Sequence, residues 1–66
     1  MASRDQQREL ERIFDALSYE LTGARTAGVA QPDEVRAALR RARDLLADAD
    51  ALAASIRAER SRGEGV

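Results

Sequence analysis

The sequence predicts an all-α protein, an antiparallel two-helix hairpin that forms a single domain over residues 1–66. Three observations lead to this fold class. Apolar residues recur at helical spacing in two separate stretches. The chain's only proline and two of its four glycines fall in the segment between these stretches. The second stretch keeps its period for more than three heptads without an interior glycine or proline.

The first helix is predicted over about residues 3–23. Ser3 and Gln6 have the spacing of a capping box, in which each side chain bonds the other residue's backbone N–H. One face of the helix then carries Leu10, Ile13, Phe14, Leu17 and Leu21. Gly23 is the predicted end, since glycine readily takes the left-handed conformation that closes helices.

The second helix is predicted over about residues 32–62. Pro32 suits a first helical turn, and Asp33 and Glu34 put negative charge at the positive end of the helix dipole. Its heptad positions are filled by Val35, Ala42, Ala49 and Ile56, by Ala38, Leu45 and Leu52, and on the adjoining flank by Leu39, Leu46 and Ala53. Residues 63–66 are expected to be a frayed tail.

Folding the second helix back on the first pairs large residues with small ones, and it leaves two apolar residues over. The expected pairs are Leu21 with Ala38, Leu17 with Ala42, Phe14 with Leu45, and Leu10 with Ala49. Beyond them Leu52 falls opposite Gln6 and Ile56 opposite Ser3, so neither has an apolar partner within the hairpin. We therefore expect dimerisation, or docking on a larger protein, to complete a four-helix bundle.

The partner surface predicted from this register is the apolar strip of the second helix. It consists of Leu45, Leu46, Ala49, Leu52, Ala53 and Ile56. Two copies crossing antiparallel at the 45/46 midpoint would place Val35 on Ile56, Leu39 on Leu52 and Ala42 on Ala49. They would also face Arg41 with Asp50 and Arg43 with Asp48, as an isologous two-fold requires.

Catalytic chemistry has little support in the composition. The chain has no cysteine and no histidine, which removes the thiolate ligand, the commonest metal ligand and the commonest general base. Gly23 and Gly28 have the glycine spacing of a phosphate-binding loop but lack the following G-K-[ST] and a preceding strand. Carboxylates at helical spacing, such as Asp44 and Asp48, are more typical of a solvated surface. We expect no catalytic, cofactor or metal site and no small-molecule substrate.

An arginine cluster in the second helix supports an alternative function. Arg36, Arg40, Arg41 and Arg43 could contact a phosphate backbone, which would make the chain a small DNA-binding regulator. The acidic residues that flank the cluster and the net charge of −1 argue against a nucleic-acid-coating protein. All eleven basic residues are arginine, a bias that a GC-rich genome would also produce.

The leading expectation is a non-enzymatic interaction or assembly protein, such as an adaptor, a regulatory subunit or a structural subunit. Its partner would be a second copy of the chain or a larger protein, with nucleic acid as the less favoured partner. No apolar run approaches the roughly 20 residues of a membrane span, and the N-terminus lacks the apolar stretch of a signal peptide. We therefore expect a cytoplasmic protein without a membrane partner.

Overall fold

The computed structural model is an antiparallel pair of helices, which confirms the predicted hairpin. Helix α1 spans Ala2–Ala27 and helix α2 spans Pro32–Glu64, with a short 3-10 turn at Gly28–Ala30 between them. The structure describes the backbone of residues 2–64 and the side chains of residues 4–63, and it contains no strand in that range. The Cα trace measures 55 × 16 × 11 Å.

Helix α1 is longer than the sequence predicts, because it passes through Gly23 and ends at Ala27. The prediction that Gly23 closes the helix was wrong. A glycine within an exposed helix costs only about 1 kcal/mol relative to alanine. Beyond Gly23 the half-buried Ala24 and the buried Ala27 pack against α2, and this packing offsets the weak helix propensity of glycine.

The bend depends on the second glycine of the segment. Gly28 has a φ of 55°, in the left-handed region that residues with a Cβ rarely adopt. The N–H of Gln31 then donates to the carbonyl of Gly28 at 3.2 Å. The carbonyl of Gln31 accepts bonds of 3.1 Å from the N–H groups of Glu34 and Val35, which begins the hydrogen-bond ladder of α2.

The start of α2 agrees with the prediction, and its end lies slightly further along the chain. Pro32 is the first helical residue, and Asp33 and Glu34 lie in the first turn. The helix continues through Gly63 to Glu64, so the predicted frayed tail is helical over its first two residues. Gly65 and Val66, the rest of that tail, and the side chain of Ser3 lie outside the described residues.

The core of the hairpin is thin. The fully buried residues in the described range are Leu17, Ala27, Ala38, Ala42 and Ala49. Alanines at the inward positions of α2 allow close approach of the helices, and Leu17 is the one large side chain buried among them. Phe14 and Leu21, predicted to lie in this core, are half exposed, because so narrow a seam has no room for them.

Side-chain direction explains why the predicted pairing fails at the far end of the hairpin. Helical side chains lean toward the N-terminus of their own helix, so side chains of α1 meet residues of α2 beyond those directly opposite. Gln6, predicted to face Leu52, donates from Nε2 to Oε2 of Glu59 at 2.9 Å. Ile56 shares a surface depression with Leu10 and is half-buried. Ile56 is therefore partly covered within the hairpin, whereas the prediction left it exposed.

Neither helix is apolar enough over a sufficient length to cross a bilayer, as far as the described residues extend.

Candidate interaction surface

One contact between the helices identifies the two broad faces of the hairpin. Arg41 donates from Nε to Oε1 of Glu20 at 2.9 Å, and the stem of Glu20 is largely covered while Arg41 stays exposed. The pair lies on one face of the hairpin, beside the seam between α1 and α2. It also places the ends of these two side chains at the same height along the hairpin.

Within α1, two of the three exposed large apolar side chains described lie on the other side of the seam from Glu20, and the third, Tyr19, lies on the side of Glu20. Each helical residue turns by about 100°, so Phe14 and Leu21 lie about 40–60° to one side of the buried Leu17. By the same rotation Glu20 lies about 60° to the other side. Phe14 and Leu21 therefore project toward the face opposite the ion pair.

Helix α2 has the same division. Relative to the buried Ala42, Leu39 and Leu46 lie about 40–60° to one side, and Arg41 lies about 100° to the other. Because Arg41 and Glu20 share one face, the apolar flanks of both helices share the opposite face. A depression lined by Leu10 and Ala53 agrees with this arrangement, since both residues lie on the apolar side of their helices.

We call this surface the apolar face, and it consists of four large side chains. Their exposed fractions are 52% for Phe14, 50% for Leu21, 49% for Leu39 and 57% for Leu46. Measured from the Glu20–Arg41 contact, Leu21 lies level with Leu39, and Phe14 lies level with Leu46. The four residues thus form two rows, about 10 Å apart along the helices.

Charged residues border the apolar face in an ordered way. Arg25 and Arg36 lie about two turns toward the bend from its centre, each on the outer edge of its helix. Glu11 and Asp50 occupy the same two edges toward the other end, and all four residues are exposed. The face therefore has positive edges near the bend and negative edges at Glu11 and Asp50, and Arg57 and Arg60 lie beyond these acidic residues toward the end of α2.

The strip predicted as the partner surface is divided between the seam and this face. Ala49 is buried inside the hairpin, and Leu45, Leu52 and Ile56 are half-buried along the seam. Leu46 and Ala53 are exposed on the apolar face and its margin. The α2-on-α2 crossing predicted at the 45/46 midpoint does not fit this structure, because Ala42 and Ala49 already pack against α1.

The predicted arginine cluster is also divided. Arg36, Arg40 and Arg43 line one depression of about 300 Å³ together with Leu39, on the outer side of α2. Arg41 lies on the opposite face and pairs with Glu20. Three of the four arginines therefore remain together and exposed.

Sequence reasoning placed Phe14 and Leu21 in the wrong environment, although a signal for the correct one was present. Both helices carry a pair of large apolar residues exactly one heptad apart, Phe14 and Leu21 in α1 and Leu39 and Leu46 in α2. The inward positions of α2 are largely alanine, which narrows the seam and displaces large residues of α1 to its flank. From the sequence, Leu39 and Leu46 were assigned to the flank of α2, whereas Phe14 and Leu21 were assigned to the core.

The described part of the chain has no group of three or more acidic side chains placed to hold a metal ion. Its buried residues are all apolar. No protein-family model, curated protein sequence or solved structure matches this chain.

Proposed function

We propose that this chain is a non-enzymatic interaction or assembly protein that binds its partner through the apolar face. The observation that carries this function is the placement of four half-exposed large apolar side chains on one side of a hairpin whose other side carries the Glu20–Arg41 ion pair. Contiguous exposed apolar patches of this kind mark protein interfaces, whereas isolated exposed apolar residues do not.

The thin core supports the same function. A two-helix chain buries little apolar surface, and here Leu17 is the one large side chain among the buried residues described. Small domains without disulfides or a metal usually gain the missing stability from oligomerisation or from a partner. Covering the apolar face would add four large side chains to the buried surface.

Site-specific photo-crosslinking in cells of the native host tests this function. A photoreactive amino acid at Leu46 should give adducts of discrete mass. The same group at Ala51, an exposed position on the outer side of α2, should give none above background. Equal labelling from both positions, or no discrete adduct from Leu46, would exclude the apolar face as an interface.

DNA binding is the second candidate, and one observation favours it. Arg36, Arg40 and Arg43 line a common depression on the outer side of α2, and all three are exposed. If they bind phosphate, affinity for duplex DNA should fall steeply with salt. Arg40→Gln should weaken this binding severalfold while leaving photo-crosslinking from Leu46 unchanged. Retention of DNA affinity in that variant would exclude this use of the cluster.

A further inference from the structure

We propose that the partner on the apolar face is a second copy of this chain, packed face to face and antiparallel into a four-helix bundle. The two bends then lie at opposite ends of the bundle. This inference rests on the proposed function and names its partner. The arrangement places α1 on α1 of the second copy and α2 on α2, through a two-fold axis that crosses the middle of the face.

The apolar residues suit this symmetry. In α2, Leu39 lies below the axis and Leu46 lies at nearly the same distance above it, so each leucine packs on the other leucine of the second copy. In α1, Leu21 and Phe14 have the same relationship. All four half-exposed side chains therefore find apolar partners, and each contact occurs twice.

The charges at the edges suit it as well. On α2, Arg36 and Asp50 lie one heptad to either side of the axis, so Arg36 of one copy faces Asp50 of the other. On α1, Arg25 and Glu11 lie one heptad to either side of the axis and pair in the same way. Glu11 also accepts a 3.2 Å bond from Gln7 of its own helix, which leaves its second oxygen for the guanidinium.

The charges of α1 and the charges of α2 each define a height for the two-fold axis, and the two heights are similar. The charge pattern of α1 centres on Ser18, and that of α2 centres on Arg43. Ser18 lies two residues before Glu20, and Arg43 lies two residues after Arg41. Because α1 and α2 run in opposite directions, the Glu20–Arg41 contact puts Ser18 level with Arg43, and the Gln6–Glu59 contact puts it level with Ala47, so the two heights agree to within about 6 Å. One axis therefore satisfies both helices.

The charges disfavour the parallel alternative, in which both bends lie at the same end. That arrangement would place α1 on α2 of the second copy with residues of equal height together. Arg25 would then face Arg36, and Glu11 would face Asp50. Like charges in direct opposition disfavour an interface, and here all four edge contacts would be of like sign.

The size of the interface indicates that the dimer should be a weak one. With the axis at the height of Ser18 and Arg43, the helical overlap of the two copies is about 33 Å long in α2 and about 27 Å long in α1. Across a hairpin 16 Å wide this gives roughly 500 Å² per copy. Such an interface is at the low end for specific complexes, so association is expected at about 10–100 µM.

Sedimentation equilibrium of the full chain from about 1 µM to 1 mM tests this dimer. The wild type should change from a 7.2 kDa monomer to a species of twice that mass. Arg36→Asp and Asp50→Arg should each weaken association about tenfold, because each variant creates two like-charge contacts. The double variant Arg36→Asp with Asp50→Arg exchanges the two charges and should return to within about threefold of the wild type.

Two results would overturn the dimer. One is a wild type that remains monomeric at 1 mM, and the other is a double variant that associates no better than the single variants. The proposed function is tested separately. Discrete adducts to a different protein from Leu46, together with a monomeric wild type, would retain the interface and reject self-association. Absence of both adducts and dimer would reject both.

Discussion

Arg41 donates from Nε to Oε1 of Glu20 at 2.9 Å across the seam, and this contact separates a polar face from an apolar face. Phe14, Leu21, Leu39 and Leu46 lie on the face opposite the ion pair, whereas the exposed Tyr19 lines a depression with Glu20 and Arg41 on the side of the pair. Exposed ion pairs of this kind contribute at most about 1 kcal/mol to stability. The main consequence of the pair is geometric, because it aligns the apolar rows and charged edges of α1 with those of α2.

The two glycines of the bend region should respond oppositely to alanine. Gly23 lies inside α1, and a Cβ there would meet nothing within 4 Å, so Gly23→Ala should stabilise the fold by about 0.5–1 kcal/mol. Gly28 has a φ of 55°, so Gly28→Ala should destabilise it by about 1 kcal/mol. Thermal unfolding followed by circular dichroism should show shifts of about 4–8 °C per kcal/mol in opposite directions. Destabilisation by both variants would mean that Gly23 ends the first helix after all.

Leu17 should be the most sensitive position of the core. It is the one large side chain among the buried residues described, and Leu17→Ala should lower the free energy of unfolding by about 2–4 kcal/mol. Val29 at the bend is fully exposed, so Val29→Ala is the matched control and should leave the free energy of unfolding unchanged. Denaturant titration of both variants at low protein concentration makes the comparison. A similar, small effect of the two variants would contradict the assignment of Leu17 to the seam.

Leu46 should matter for association more than for the fold of the hairpin. It is 57% exposed, so Leu46→Glu should leave the helical circular dichroism of the monomer unchanged. In the dimer two copies of this side chain become buried, at about 1 kcal/mol each, and the introduced charge adds to the loss. Dissociation constants from sedimentation should rise at least thirtyfold. Ala51→Glu on the outer side of α2 is the control, and an equal effect there would rule out a specific apolar contact.

Arg43 should oppose association, in contrast to the other charged residues on the edge of α2. Arg43 lies at the height of the two-fold axis. It therefore approaches Arg43 of the second copy at the solvent edge of the interface. Arg43→Gln removes this repulsion and should strengthen the dimer about two- to fivefold, with the larger gain at low salt. The same variant should weaken DNA binding if the arginine cluster serves that purpose. Weaker self-association in Arg43→Gln would place the axis elsewhere.

The fold class was predictable from the sequence because heptad spacing and the proline-containing segment are local signals. The position of the bend was less predictable, because both Gly23 and Gly28 could close a helix. The tertiary packing of Ala24 and Ala27 decides between the two glycines. The surface was harder still. Helical periodicity places Phe14 and Leu17 on the same face of α1. The folded hairpin shows that the alanine-lined seam is too narrow for both, so the side chain of Phe14 lies outside the seam.

The distance between spin labels near the bend tests the antiparallel dimer most directly. The chain has no cysteine, so Gln31→Cys and Ser18→Cys each give one labelling site per copy. At millimolar protein, labels at position 18 should lie within about 20 Å of each other, as packed helices require. Labels at position 31 should be about 35 Å apart, from the helical rise between their heights. A distance below about 20 Å at position 31 would mean parallel hairpins, and absence of any dipolar coupling at both positions would mean that the chain does not self-associate through this face.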